Sequence, residues 1–184
     1  MANTYTQIYI QVVFSVEGRM NILLREHKEE LHHYITGIVT SQKQKIIAIN
    51  SMPDHVLIGL KPDMALSNLV GKIKSGSTSH INRERWVRGK FSWQEGFGAF
   101  PYSHSQLDDV IRYIRDQEKY RAKKTFREEY LESLEKFHVP YDQRYVFQFD
   151  DGAAPTGLSE AGSEIYNHFA PNGAKATSRS EGNL

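Results

Sequence analysis

Two short runs of β-branched and apolar residues, Lys45 to Asn50 and His55 to Leu60, stand on either side of Ser51-Met52-Pro53-Asp54. So brief a connection, with a proline in it, suits a tight turn, and the runs read as two adjacent strands. Upstream, Tyr5 to Val16 alternates, with Ile8, Ile10, Val12 and Phe14 on one face and Tyr9, Gln11 and Val13 on the other. That period of two is the mark of a long strand. Between these strands, Arg25 to Val39 carries Leu31, Tyr34, Ile35 and Ile38 at helical spacing. Asp63 is placed to cap a second helix bearing Leu66, Leu69, Val70 and Ile73, and the aromatic, glycine-rich stretch Phe91 to Tyr102 reads as an irregular strand. Strand, helix, strand, strand, helix, strand is the order of a ferredoxin-like α+β domain, an antiparallel sheet with helices on one face.

Two C-terminal helices follow. Ser105 and Asp108 have the spacing of a capping box, ahead of an apolar stripe of Leu107, Val110, Ile111 and Ile114. Thr125 and Glu128 repeat the signal before Tyr130, Leu131, Leu134 and Phe137, and Tyr141 to Phe149 reads as a last short strand. From Asp150 the chain turns to Gly, Ala, Ser, Pro and Asn, with apolar residues too scattered to bury a core. The expected division is a domain over residues 1–149 and a disordered, low-complexity tail over 150–184. The net charge of +1 hides an asymmetry between them. The tail holds five acids and two bases, −3, which leaves 21 bases and 17 acids, +4, in residues 1–149.

The chain has no cysteine, which excludes disulfides, zinc-thiolate centres and thiol catalysis and suits a reducing cytoplasm. No stretch approaches the roughly 18 to 20 apolar residues of a membrane span, and no secretory signal opens the chain, so a cytoplasmic protein without membrane partners is expected.

Tyr113 and Gln117, four residues apart on the first of the C-terminal helices, share a face. Arg112, Arg115, Lys119, Arg121, Lys123, Lys124 and Arg127 surround them. A tyrosine hydroxyl, with a pKa of about 10, is a poor nucleophile at neutral pH. A divalent metal that polarises a phosphate, with cations holding the backbone, would let it attack a phosphodiester and form a covalent phosphotyrosine. A histidine from a strand and a glutamine amide oxygen from a helix are reasonable ligands for that metal. Taken alone, a tyrosine beside an apolar stripe is usually a packing residue.

The combination is more specific. Pro53-Asp54-His55-Val56 opens a strand, and a helix with Tyr and Gln spaced by four follows. So do the opening Tyr5-Thr6-Gln7-Ile8-Tyr9-Ile10-Gln11-Val12-Val13-Phe14, the run from Trp86 to Gly98, and Tyr102-Ser103-His104-Ser105. In matching order over residues 1–149, these resemble the transposase IS200-like family, the single-tyrosine HUH transposases of insertion sequences. The resemblance implies a homodimer of ferredoxin-like domains that binds hairpins near transposon ends in single-stranded DNA. It further implies cutting of one strand, with the 5′ end held on the tyrosine and a free 3′-OH left for rejoining. By position, Tyr113 would be the nucleophile, His55 the first histidine of the pair and Gln117 a further ligand of Mg2+ or Mn2+. Should Tyr113 not be the nucleophile, Tyr120 is the next candidate.

One departure bears on activity. The family places His-hydrophobic-His on this strand, and here Leu57 stands where the second histidine is expected. Loss of two residues would account for it, since Ile58-Gly59-Leu60-Lys61-Pro62 reads on as the family does. An even-numbered loss preserves the alternation of the strand. The metal site is expected to be weakened, with His80 and His104 as remote substitutes. Two functions follow: a strand-transferring transposase with impaired metal binding, or a catalytically inactive protein that still binds single-stranded DNA hairpins. An RNA-binding ferredoxin-like module ranks last, for want of an aromatic RNP-type strand. For DNA contact, Lys72, Lys74, Arg83, Arg85, Arg88 and Lys90 lie close to Trp86, Phe91 and Trp93, a mixture suited to gripping phosphates and, through Trp93, stacking bases. The alternative is a solvated charged face over core tryptophans.

Overall fold

In the computed structural model, residues 5–17, 25–51, 54–61, 63–117, 119, 125–142 and 146 are described. Four strands, β1 (Ile8–Phe14), β2 (Lys45–Ser51), β3 (Asp54–Leu60) and β4 (Gly98–Tyr102), form one antiparallel sheet in the order β2-β3-β1-β4. Helix α1 (Lys28–Ser41) follows a 3-10 turn at Arg25–His27, and α2 (Leu66–Glu84) links β3 to β4. This is the ferredoxin-like order expected from the sequence. The shorter β1 and the later start of α1 are differences of a few residues at element ends.

The alternation of β1 divides the core. Val12 and Phe14, with Ile58 of β3, meet Leu31, Ile35 and Val39 of α1 and Leu69, Val70, Ile73 and Ile81 of α2. Val13, from the opposite pleat, packs instead with Phe100 of β4 and with Tyr130 and Leu134 of a C-terminal helix, α4 (Phe126–Lys136). A further helix, α3 (Leu107–Arg115), closes over Ala48 of β2 through Val110 and Ile114. The sheet is therefore covered on both faces, α1 and α2 on one and α3 and α4 on the other. Residues Gln11 to Phe14 are consecutively buried as a result.

Local signals were used differently from the expectation in two places. Asp63 does not cap α2, because its Oδ1 accepts a hydrogen bond from Nε2 of Gln44 at 2.9 Å, and α2 starts after Ala65 without a side-chain cap. The capping box before α3 lies two residues earlier than Ser105 and Asp108. Ser103 N–H donates to Oε1 of Gln106 at 2.9 Å, which opens a 3-10 turn that runs into the helix. At α4 the expected box is present: Thr125 N–H donates to Oε2 of Glu128 at 2.7 Å, and Glu128 N–H donates to Oγ1 of Thr125 at 3.3 Å. The strand expected over Tyr141 to Phe149 and the tail 150–184 lie largely or wholly outside the described residues.

Candidate active site

Helix α3 lies on β2 because its apolar stripe has nowhere else to go: Val110 and Ile114 are 2% and 0% exposed, and Tyr113 packs at the edge of the same cluster with Tyr102 and Ile111. A polar tie accompanies this packing. Nδ2 of Asn50, near the end of β2, donates to the carbonyl oxygen of Ile114 at 2.6 Å. Three residues further on, Gln117 is 1% exposed, and neither its Oε1 nor its Nε2 has a hydrogen-bond partner among the described residues. Leaving one buried polar group unmade costs about 1–3 kcal/mol, so such a group calls for an explanation, and one is an ion that it can bind.

The strand register sets out what lies beneath. His55 pairs with Val13 of β1 and Asn50 of β2, and Leu57 pairs with Gln11 and Ala48. Directly paired residues share a face. Positions 55 and 57 therefore both belong to the face on which α3 docks, together with the buried Gln11 and Asn50. The fold brings position 55, Asn50 and Tyr113 to one side of the sheet, and Gln117 follows just past the C-terminal end of α3, beyond Asp116, so the single unbroken helix expected through both Tyr113 and Gln117 stops between them. Asn50 was not singled out from the sequence. Its signal was a lone amide ending the apolar run Ile46-Ile47-Ala48-Ile49.

Aromatic neighbours frame the tyrosine. Burial, reinforced by the nearby Tyr113, raises the pKa of the Tyr102 phenol well above its ordinary value, so Tyr102 stays protonated. Nζ of Lys136, from α4, stands 5.9 Å from the centre of the Tyr102 ring, and burial lowers its pKa to about 8.

Neither substitute histidine stands beside position 55, since His80 is on the opposite side of the sheet and His104 is next to Tyr9, four residues along β1 from Val13, the partner of His55. His80 lies on α2 in contact with α1: its Nε2 is 3.1 Å from Oε1 of Glu30, its Nδ1 takes a hydrogen bond from Arg83 at 3.0 Å, and its ring stacks on Tyr34 at 4.1 Å. His104 is exposed in the turn before α3, its ring 6.1 Å from that of Tyr9. Among the described residues no group of three His, Cys, Asp or Glu could hold a metal. The buried side-chain donors described on this face, Asn50 and Gln11, are amides, whose oxygens are hard ligands.

Of the residues expected to contact DNA, Arg85, Arg88 and Lys90 are exposed around the end of α2. Lys72 and Arg83 are exposed as well, the first bonded to Gln42 and the second to Glu84 at 2.9 Å. Lys74 and Trp93 correct the expectation. Nζ of Lys74 donates to the carbonyl oxygens of Gln94, at 2.8 Å, and Gly96, and burial lowers its pKa. Trp93 is 7% exposed, donates Nε1–H to Oγ of Ser77 at 2.9 Å, and meets Phe14 and Phe91 edge to face. Both are built into the fold, Lys74 as a clamp on the loop before β4 and Trp93 as core, so Trp93 offers no open face for a base. Near Tyr113, Arg112 and Lys119 are paired with Asp109 and Asp116 at 3.3 and 2.8 Å. Tyr120 lies outside the described residues.

Among solved structures, the chain is similar to a "putative transposase" from Deinococcus radiodurans R1, with 20% identity over 64% of this chain and 95% of that one and a TM-score of 0.48. It is also similar to a REP-associated tyrosine transposase solved with a REP hairpin, with 17% identity over 64% of this chain and 72% of that one and a TM-score of 0.46. At such scores neither likeness bears on the assignment. No curated protein matches. The family described as Transposase IS200 like matches residues 4–117, from ahead of β1 through Gln117. That match spans more than half of the 184 residues, and on it the chain belongs to the IS200-like transposase family.

Proposed function

We propose that this transposase binds hairpin ends of single-stranded transposon DNA and cuts and rejoins one strand through Tyr113. The observation that carries the reading is the buried amide of Gln117, with no hydrogen-bond partner among the described residues, four residues after a partly exposed tyrosine on the helix that docks on the sheet face holding position 55. In the cutting step the Tyr113 oxygen attacks phosphorus, its proton passes to solvent, and the P–O3′ bond breaks. The departing oxygen takes up a proton as a free 3′-OH, and the 5′-phosphate remains on the tyrosine. Rejoining is the reverse attack by a 3′-OH. His55 and Gln117 would hold Mg2+ or Mn2+, which supplies polarisation of the phosphate when bound. Tyr102 contributes an apolar wall and a neutral phenol beside the nucleophile. Because α3 docks on β2 of its own chain, nucleophile and donors can serve one site within each subunit of the homodimer. Exposed Arg85, Arg88 and Lys90 would engage phosphates, with Lys72 and Arg83 beside them.

Leu57 favours a second reading, a hairpin-binding protein that no longer cuts, since the position one pleat from His55 lacks a donor. Incubating the protein with single-stranded element ends, with and without Mn2+, and looking for a covalent protein–DNA band on a denaturing gel separates the two. A Mn2+-dependent band that Tyr113→Phe abolishes, while hairpin affinity changes less than about twofold, is the expected result. A band that persists in Tyr113→Phe assigns the nucleophile elsewhere. Hairpin binding with no band from the native protein, but a band from Leu57→His, establishes the second reading.

A further inference from the structure

We infer that Asn50 supplies the donor that Leu57 lacks, its Oδ1 being an oxygen ligand for the same divalent cation as His55 and Gln117. The inference rests on the metal-assisted reading above and extends it to a residue outside the His-hydrophobic-His pattern.

Three observations carry it. Asn50 is 5% exposed, and its Oδ1 has no hydrogen-bond partner among the described residues. The orientation of the amide follows from its bond at the other end: the Ile114 carbonyl oxygen accepts, so the atom 2.6 Å away must be the NH2, and the carbonyl oxygen is the end left over. Asn50 is also the direct register partner of His55 on the neighbouring strand. Paired residues on one face have Cβ atoms about 4.5–5.5 Å apart, a span that two ligands of one octahedral cation with bonds of about 2.1 Å can close. A second buried amide without a partner among the described residues, Gln117, lies just past the end of α3, three residues after the carbonyl that Asn50 holds. One side chain thereby ties down the C-terminal end of α3, from which the chain runs on to Gln117, and keeps an oxygen free of protein partners among the described residues. Gln11, the other buried amide on this face, already has a partner.

The set is one imidazole nitrogen and two amide oxygens, neutral throughout. It should bind Mn2+ more weakly than a site with two imidazoles, and Mg2+ more weakly still.

The test is titration of the full-length protein with Mn2+ in the absence of DNA, followed by calorimetry or by loss of the free-ion electron spin resonance signal. Wild type is expected to take up one Mn2+, with the affinity reduced at least tenfold in Asn50→Ala and in Gln117→Ala. A role in holding α3 alone would lower the thermal stability of Asn50→Ala without moving Mn2+ affinity, and that outcome overturns the inference. Asn50→Asp keeps an oxygen and adds charge but loses the bond to Ile114. It should bind Mn2+ at least as tightly as wild type although its metal-free form melts lower, and weaker binding in this variant also overturns the inference. In Asn50→Ala/Leu57→His the new imidazole is expected to restore Mn2+ affinity. Should Asn50→Ala not fold, the Asn50→Asp titration decides. Mn2+ binding abolished by Gln117→Ala but untouched in both Asn50 variants removes Asn50 from the site and leaves the metal-assisted reading standing. No Mn2+ uptake by wild type overturns the inference and the metal site together, while the gel assay with Tyr113→Phe still reports on covalent capture.

Discussion

A methyl group on Gly98 would lie 2.6 Å from Cε2 of Tyr130 and 3.0 Å from its hydroxyl oxygen. Tyr130 belongs to α4 and Gly98 to the start of β4, so the missing side chain is what lets the helix approach the strand. Gly98→Ala is expected to destabilise the protein by about 1–3 kcal/mol, the usual cost of overpacking, as read from the midpoint of urea unfolding. An unchanged midpoint would mean that the Tyr130 ring swings aside freely. At this scale much was hidden from the sequence. Trp93 stands among Arg88, Lys90 and Ser92, which suggested a surface stack, yet its indole is committed to Ser77 sixteen positions earlier in the chain. Asp63 had the right spacing for a cap, but a glutamine nineteen residues away competed for its carboxylate. Such choices are made by tertiary partners, and composition in a short window carries no trace of them. The apolar stripe that carries Tyr113 was legible from its helical spacing, whereas the end of that helix at Arg115, before Gln117, left no mark in the sequence.

The elements themselves were far easier to read. Period-two alternation found β1, and the Pro-bearing turn found the β2–β3 pair, since these patterns arise from local geometry that any environment must respect. Their partners were harder. The stripe of α3 announced burial but not the surface it would meet, and only its packing on Ala48 and the bond that Ile114 accepts from Asn50 place it on β2. The expectation of helices on one face was met by α1 and α2, with α3 and α4 adding a layer on the other. For α4 the capping box provides a direct handle on this layer. Thr125→Ala removes the side-chain oxygen that Glu128 N–H reaches at 3.3 Å and should cost about 1 kcal/mol, with fraying at the N-terminal end of α4 seen as faster amide exchange at Glu128. Uniform slow exchange across that turn would show that packing of Tyr130 and Leu134 alone fixes the helix end.

Across the whole molecule, charge is unevenly divided, +4 over residues 1–149 and −3 over 150–184. An acidic segment on a chain that meets a polyanion competes for the same cations. Removing residues 150–184 is expected to tighten hairpin binding several-fold at about 50 mM salt and to have little effect near 0.5 M, where the Debye length falls to a few ångströms. Equal affinities at low salt would show that the acidic charges stay away from the DNA path. No described helix is long and apolar enough to cross a membrane. The sheet also bears on the history of the chain. Between β2 and β3 the register slips once, at Ile46 and Ala48, so that Ile47 has no opposite number, whereas β1 and β3 pair without a break. A strand held this way can shed two residues and later take two back without any side chain changing sides, because every position beyond the change returns to its old face. On that account a two-residue change next to position 57 is reversible in this sheet. A chain that undergoes such a change keeps its core, the helix that carries Tyr113 and the tie from Asn50 to Ile114.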